Sequence, residues 1–201
     1  MVGRGFHDRN RAPPLVLLFE FLWWSSRLRN IGESPRGRSP FDGRLVSKVP
    51  LADVRITEAN PDRFPEIIRL LMSARIGAEK GWSADRVIEA TTGKDLVGCC
   101  ALDFVGNVVL LHSLVIDKPM RRRGIGWALV EEAVEIARAR RVEYMVALTM
   151  FWNVNFFRKC SFVTTSRKLL PERLAGHPFI FDPVFRYATP MIRRIDCNGQ
   201  A

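Results

Sequence analysis

Cysteine is scarce in this chain. Its four copies, Cys99, Cys100, Cys160 and Cys197, show no CxxC spacing and no paired Cys/His cluster. A zinc site needs converging tetrahedral donors, so no metal is expected. Cys99 and Cys100 are adjacent in an apolar, strand-like run, which sends their side chains to opposite faces. They read as buried thiols in a reducing compartment, and a cytoplasmic location is the expectation. No apolar run reaches the roughly 18–20 residues that a bilayer span requires. No internal repeat is visible, and the P-loop pattern G-x-x-x-x-G-K-[ST] is absent.

What is present is a chain of 201 residues, enough for one domain with an extension. Hydrophobic residues make up 47% and charged residues 26%, ordinary values for a globular protein. The net charge of +10 is unevenly spread, because residues 1–50 hold nine Lys/Arg against four Asp/Glu. Such an excess either solvates a surface or attracts an anionic ligand, nucleic acid or membrane. Nucleic acid is not expected, because no zinc module appears and these arginines are not interleaved with stacking aromatics.

Residues 1–50 read as a basic extension without fixed structure. Gly32, Pro35, Gly37, Pro40 and Gly43 break any periodicity between Arg27 and Arg44. Before them, residues 15–24 form a short apolar stretch flanked by arginines. Glu20 interrupts it and no small-residue cleavage site follows, which weighs against a secretion signal. A membrane-surface helix, a partner-docking helix and non-native upstream sequence are the other readings.

From residue 51 the pattern is regular. Strands are expected at Val54–Thr57, Arg86–Ala90, Leu96–Phe104, Val108–Ile116, Tyr144–Thr149, Phe162–Thr164 and Phe185–Ile195. Val105-Gly-Asn107 is hairpin chemistry. Helices are expected after Pro61, with Phe64, Ile67, Ile68, Leu70 and Leu71 as the apolar stripe, at Trp127–Arg141, and at Val154–Lys159. The order predicts a mixed α/β sheet over residues 51–201.

The chemistry concentrates between Val115 and Leu129. A buried strand runs into a basic loop, then two glycines, then a helix. Gly124 and Gly126 let the backbone approach a ligand and present its N–H groups. The helix start adds unpaired N–H groups and the positive end of a dipole. Arg121, Arg122 and Arg123 add formal charge, and the whole suits a pyrophosphate. A dinucleotide fingerprint fits less well, because Leu129 stands where its third glycine belongs.

Arg121-x-x-Gly124-x-Gly126 resembles the acetyl-CoA signature R/Q-x-x-G-x-G/A of the GNAT superfamily of N-acetyltransferases. Asn155 to Phe162 is similar to that superfamily's second motif, A-x-x-F-Y-x-K-x-G-F. Within the superfamily, Leu110–Ile116, Leu148-Thr149, Phe156-Phe157 and Leu170-Pro171 most resemble amino-acid acetyltransferases. N-acetylglutamate synthase domains and arsenic-resistance-associated acetyltransferases are the nearest in character. The resemblance implies a mostly antiparallel mixed sheet with helices on both faces and a splayed central strand pair, Val108–Ile116 and Tyr144–Thr149. It implies acetyl-CoA as cosubstrate. Leu114, Val115 and Ile116 would meet the pantetheine, and Arg121, Arg122, Arg123, Gly124, Ile125, Gly126 and Trp127 the pyrophosphate.

Two departures stand out. Phe157 occupies the place where many relatives carry a tyrosine that protonates the departing thiolate, and Ser161 replaces a glycine. The only tyrosines, Tyr144 and Tyr187, lie elsewhere. The reaction that the resemblance implies is attack of a primary amine, that of a small amino-acid-like metabolite, on the thioester. His112, on the central strand, is a candidate base, and Glu58 at the end of the first strand is a second. A strand N–H near Leu114 is a candidate oxyanion donor. Arg75 is a candidate for holding a substrate carboxylate. The competing expectation is an acyl-CoA-binding module with weak or no catalysis. A homodimer is left open.

Overall fold

The hairpin expected at the centre of the chain is the centre of the molecule in the computed structural model, which describes residues 53–74, 76, 82–181 and 185–196. The basic extension, the apolar stretch at 15–24, Arg75 and Cys197 lie outside the described residues. Seven strands form one sheet: β1 (Val54–Glu58), β2 (Arg86–Thr92), β3 (Asp95–Val105), β4 (Val108–Ile116), β5 (Tyr144–Thr149), β6 (Val163–Thr164) and β7 (Thr189–Arg194). Their order across the sheet is β1-β2-β3-β4-β5-β7-β6. Only β4 and β5 run parallel; every other neighbouring pair is antiparallel.

Helices cover both faces. On one face lies α2 (Ile125–Ala139), whose Leu129, Val130, Ala133 and Ala137 pack on Ile88, Cys100, Val109 and Met145. The short α3 (Val154–Lys159) closes that layer through Phe157. On the opposite face, α1 (Phe64–Ser73) sets Ile67 and Leu71 on Val87, Cys99 and Val115. Of the expected α1 stripe, Ile67 and Leu71 are fully buried, while Phe64 lies at the exposed margin. Cys99 and Cys100 fall in opposite clusters, as strand alternation requires.

The same opposite face is covered further along by a segment not read as structured from the sequence. Residues 167–181 form successive 3-10 turns and a four-residue helix, α4 (Pro178–Phe181). Leu174 and Ile180 bury against Val108, Leu110 and Val146. Arg167 pins the segment by donating to the carbonyls of Ile180 (2.6 Å), Phe185 and Ala188. This staple consumes residues 185–188, so β7 begins at Thr189 and not at Phe185.

The helix ends explain two other boundaries. α3 closes in a Schellman motif: Phe162 N–H donates to Phe157 O and Ser161 N–H to Arg158 O, each at 3.0 Å. Phe162 therefore belongs to the cap, its ring edge-on to Phe157 at 5.3 Å, and β6 starts one residue later. α2 closes the same way, with Val142 N–H on Ala137 O and Arg141 N–H on Arg138 O. The left-handed residues of the two caps are Ser161 (φ 63) and Arg141 (φ 56).

Candidate functional site

β4 and β5 are hydrogen-bonded only from Val108↔Tyr144 to Leu111↔Ala147. Beyond that point β4 continues to Ile116 and β5 to Thr149, but Leu148 and Thr149 pair with β7 alone. The central pair therefore splays, as the resemblance implied, and the β5-facing backbone of residues 112–116 is left open. A bulge marks the opening. Cys99 pairs with Val115 and Ala101 with His112, so Ser113 and Leu114 together oppose Cys100. Ser113 takes φ 52 to make the turn. Gly98 makes room on β3, where a Cβ would stand 2.7 Å from Ile116 Cδ1 and 3.1 Å from Val115 O.

The open edge leads straight to the helix start. Asp117 and a 3-10 turn at Lys118–Met120 connect β4 to Arg121, whose Nε donates back to Ile116 O at 2.9 Å. Arg122 (φ 62) and Gly124 (φ 86) curl the loop. Gly124 is the N-cap of α2, with no side-chain cap and no acidic residue in the first turn. The N–H groups of Ile125, Gly126 and Trp127 precede the first internal bond, Ala128 N–H to Gly124 O. A shallow cleft of about 170 Å³ runs beside this loop between Leu70, Ser73 and Ala74 of the α1 end and Val115, Ile116 and Arg121. A larger one, about 380 Å³, lies by Arg138, Ser161 and Arg193, and no candidate site residue lines it.

The expected pyrophosphate contacts divide by role. Arg121 and Arg122 are exposed and Arg123 half-buried, while Ile125 is buried in the core and has only its backbone to offer. Trp127 is half exposed on the first turn. The helix begins two residues earlier than its periodicity indicated, so Gly126 lies inside the first turn. A Cβ there would come 3.4 Å from the Phe156 ring. Gly126 thus serves close approach to α3, while Gly124 is the exposed left-handed cap. An uncapped, dipole-positive helix start with adjacent arginines fits the phosphate groups of acetyl-CoA.

His112 sits at the start of the opening, but it is not exposed. Its side chain is 6% accessible, beneath the Phe179 ring at 4.5 Å and beside Trp82 at 6.5 Å. His112 Nδ1 lies 3.0 Å from Ser113 Oγ, and Ser113 Oγ accepts a hydrogen bond from Trp82 Nε1 at 3.0 Å. His112 Nε2 stands 3.1 Å from Asp103 Oδ2, off the ideal hydrogen-bond line. His177, from the segment over this face, bonds the same Asp103 oxygen at 3.1 Å. The other Asp103 oxygen accepts from the Asp85 N–H. Burial alone would raise the Asp103 carboxyl; His112, the Asp85 N–H and His177 outweigh it and hold it below its ordinary value.

Sequence reading singled out His112 from this cluster but missed Asp103, Ser113 and His177. Asp103 and His177 are 74 positions apart, and no local pattern announces their meeting. Glu58 is not brought to them. It ends the edge strand β1, paired with Arg86 at 2.5 Å, three strands from β4. At the spacing of sheet strands that is about 14 Å. Phe157 is 6% exposed and belongs to the core. Cys99, Cys100 and Cys160 are buried thiols: burial, reinforced by Glu89, pushes Cys99 up to about 12, and burial raises Cys160 to about 11. Among the described residues, no helix is long and apolar enough to cross a membrane, and no group of three or more His, Cys, Asp or Glu is placed to hold a metal.

Comparison with known proteins converges on one family. A curated relative, an uncharacterized N-acetyltransferase of Chlorobaculum tepidum, is 28% identical over 80 residues, covering 39% of this chain and 50% of that protein. The chain thus spans about half of the curated relative it matches. N-acetylglutamate synthase of Neisseria gonorrhoeae, solved with coenzyme A and N-acetyl-glutamate, superposes with a TM-score of 0.59 at 20% identity over 71% of this chain and 35% of that one. A GNAT-family acetyltransferase of Staphylococcus aureus gives 0.56 at 17% identity over 71% of this chain and 99% of that one. At these identities the superpositions show the fold, and the sheet described above is that fold. The family model for the acetyltransferase (GNAT) family matches residues 55–162, more than half of the chain, and the chain belongs to that family.

Proposed function

We propose that this chain transfers an acetyl group from acetyl-CoA to a primary amine, that of a small amino-acid-like metabolite. The carrying observation is the continuity between the splayed edge of β4 and the uncapped start of α2. One lies where an extended pantetheine arm could bond the backbone, and the other where a pyrophosphate could. The fit is of shape and charge: Leu114, Val115 and Ile116 line the arm, and Arg121, Arg122 and the N–H groups after Gly124 hold the phosphates. Bound acetyl-CoA supplies the activated acyl group as a thioester. The superposed Neisseria enzyme and the Rv2747 protein of Mycobacterium tuberculosis were both solved with coenzyme A, which supports the reading.

The chain's own residues then have two tasks. The amine must lose a proton, and His112, set against an ionised Asp103, is suited to take it. The backbone N–H groups turned by the bulge at Ser113 and Leu114 are suited to hold the developing oxyanion. Phe157 has no proton to donate, and this keeps a second reading, an acyl-CoA-binding module without turnover. The experiment is free-thiol release from acetyl-CoA across a panel of amino acids and polyamines, run beside acetyl-CoA-dependent melting shifts. Release with one amine establishes the transferase. A melting shift without release from wild type or Phe157→Tyr establishes the binding module. Neither effect removes acetyl-CoA from the account.

A further inference from the structure

We infer that Ser113 is the group that exchanges protons with the reacting amine, with His112 the buried base behind it and Asp103 the residue that positions His112. This rests on the transferase reading. The premise is accessibility. The His112 side chain is 6% accessible, beneath Phe179 and beside Trp82, with Nε2 buried against Asp103 and Nδ1 engaged by Ser113 Oγ. Ser113 is only half-buried and sits on the bulge, two residues past the last β4–β5 pair.

Donor and acceptor accounting permits the relay. Trp82 Nε1–H can only donate, so Ser113 Oγ accepts from it and is free to give its own hydrogen to His112 Nδ1. The relay uses the tautomer with the lone pair on Nδ1, which places the ring proton on Nε2, facing the Asp103 carboxylate. Ser113 Oγ takes the proton from the amine nitrogen while passing its own to His112 Nδ1, and the imidazolium so formed lies against Asp103. The reverse transfer, from Ser113 to the departing sulfur, resets both residues. A C–N bond forms, a C–S bond breaks, and the products are an amide, a free thiol and, because the substrate starts as an ammonium, one further proton released to solvent, with none left on the protein. The relay thereby supplies the acid that Phe157 cannot.

Backbone conformation offers a clean probe. Ser113 adopts φ 52, a region glycine enters freely, so Ser113→Gly deletes the hydroxyl without straining the bulge. The titratable groups facing the pair are Asp103 and Cys99 from β3 and His177 from the covering segment, with Asp85 bonded to Asp103. The measurements are the pH profile of thiol release with the best amino acid of the panel, the acetyl-CoA melting shift, and ring 15N spectra of His112 without acetyl-CoA. Ser113→Gly should keep the melting shift and lose about 10²-fold in rate at pH 7. It should regain part of that loss towards pH 9, where more of the amine is deprotonated unaided. The His112 Nδ1 resonance should move when its hydrogen bond is lost, and Ser113→Cys should restore part of the rate. An active wild type matched by Ser113→Gly at every pH defeats the relay alone, as does an unmoved Nδ1 resonance. A wild type that releases no thiol with any amine defeats the transferase reading and the relay together.

Discussion

Gly124 is the position at which the acetyl-CoA reading is most exposed to experiment. It caps α2 at φ 86 with no side-chain cap, so the helix start faces outward unneutralised. Ligand present at about 100 times its Kd stabilises the folded state by about 2.7 kcal/mol. At roughly 2–4 °C per kcal/mol for a chain of this size, acetyl-CoA should raise Tm by about 5–11 °C. Gly124→Ala tests the backbone alone. A left-handed non-glycine residue costs about 1–2 kcal/mol, offset by about 0.4–1 from a less flexible unfolded chain, so Tm should fall by a few degrees. Gly124→Glu adds a carboxylate at the same place. At about 5 Å from a phosphate charge it costs between about 0.8 kcal/mol in water-like surroundings and about 3 kcal/mol at an effective dielectric of 20. Against two charges this weakens binding by roughly 15-fold at the low end and far more at the high end, and the shift at the same ligand concentration shrinks to less than about half of the wild-type value. The assay is paired thermal melts of the three proteins with and without acetyl-CoA. A Gly124→Glu protein that keeps the full wild-type shift would refute the placement of the pyrophosphate.

Ser161→Gly should raise Tm by about 1–4 °C, because Ser161 holds the left-handed position of the α3 cap at φ 63; a lower Tm would show that its hydroxyl contributes more than its backbone costs. Leu129→Ala, at a fully buried site between α2 and the sheet, should lower unfolding free energy by about 2–5 kcal/mol in urea, and a loss under 1 would mean that the site collapses around the gap. Asp103 titrates below its ordinary 3.8 in the folded chain, so the stability it contributes is complete above that value and is lost as pH falls through the lower folded value. Urea midpoints of Asp103→Asn should therefore fall less steeply than those of wild type on acidification below about pH 4, and parallel curves would remove Asp103 as a stabilising carboxylate. Phe157→Tyr should fold and should speed thiol release only where protonation of the sulfur limits the rate, which a comparison of the two proteins across the amine panel measures.

Legibility followed the range of the interactions. β4, β5 and α3 match their expected bounds to the residue because each is a single uninterrupted run whose neighbours change character sharply. The start of α2 was misplaced by two residues, because Gly124 and Gly126 read alike in sequence although one is a left-handed cap and the other faces Phe156 inside the helix. The covering segment at 167–181 was unread. It is made of short 3-10 turns whose order depends on Arg167 reaching carbonyls 13 to 21 residues away. Glu58 looked like a base beside a strand end, and only the strand order shows that it lies at the sheet's edge.

The sequence by itself determined the family, the mixed sheet and the basic, glycine-bearing start of α2, since each depends on contiguous residues: an apolar run, a basic loop and two glycines before a helix. The tertiary structure alone decided the chemistry around His112. A strand exposes no record of where its pairing ends, so the splay beyond Leu111 and the bulge at Ser113 appear only when β5 and β3 are in place. Burial is likewise a property of what arrives from elsewhere. His112 becomes enclosed because Phe179 settles on it from a segment more than 60 residues away, while Asp103 meets both His112 and His177 from the neighbouring strand.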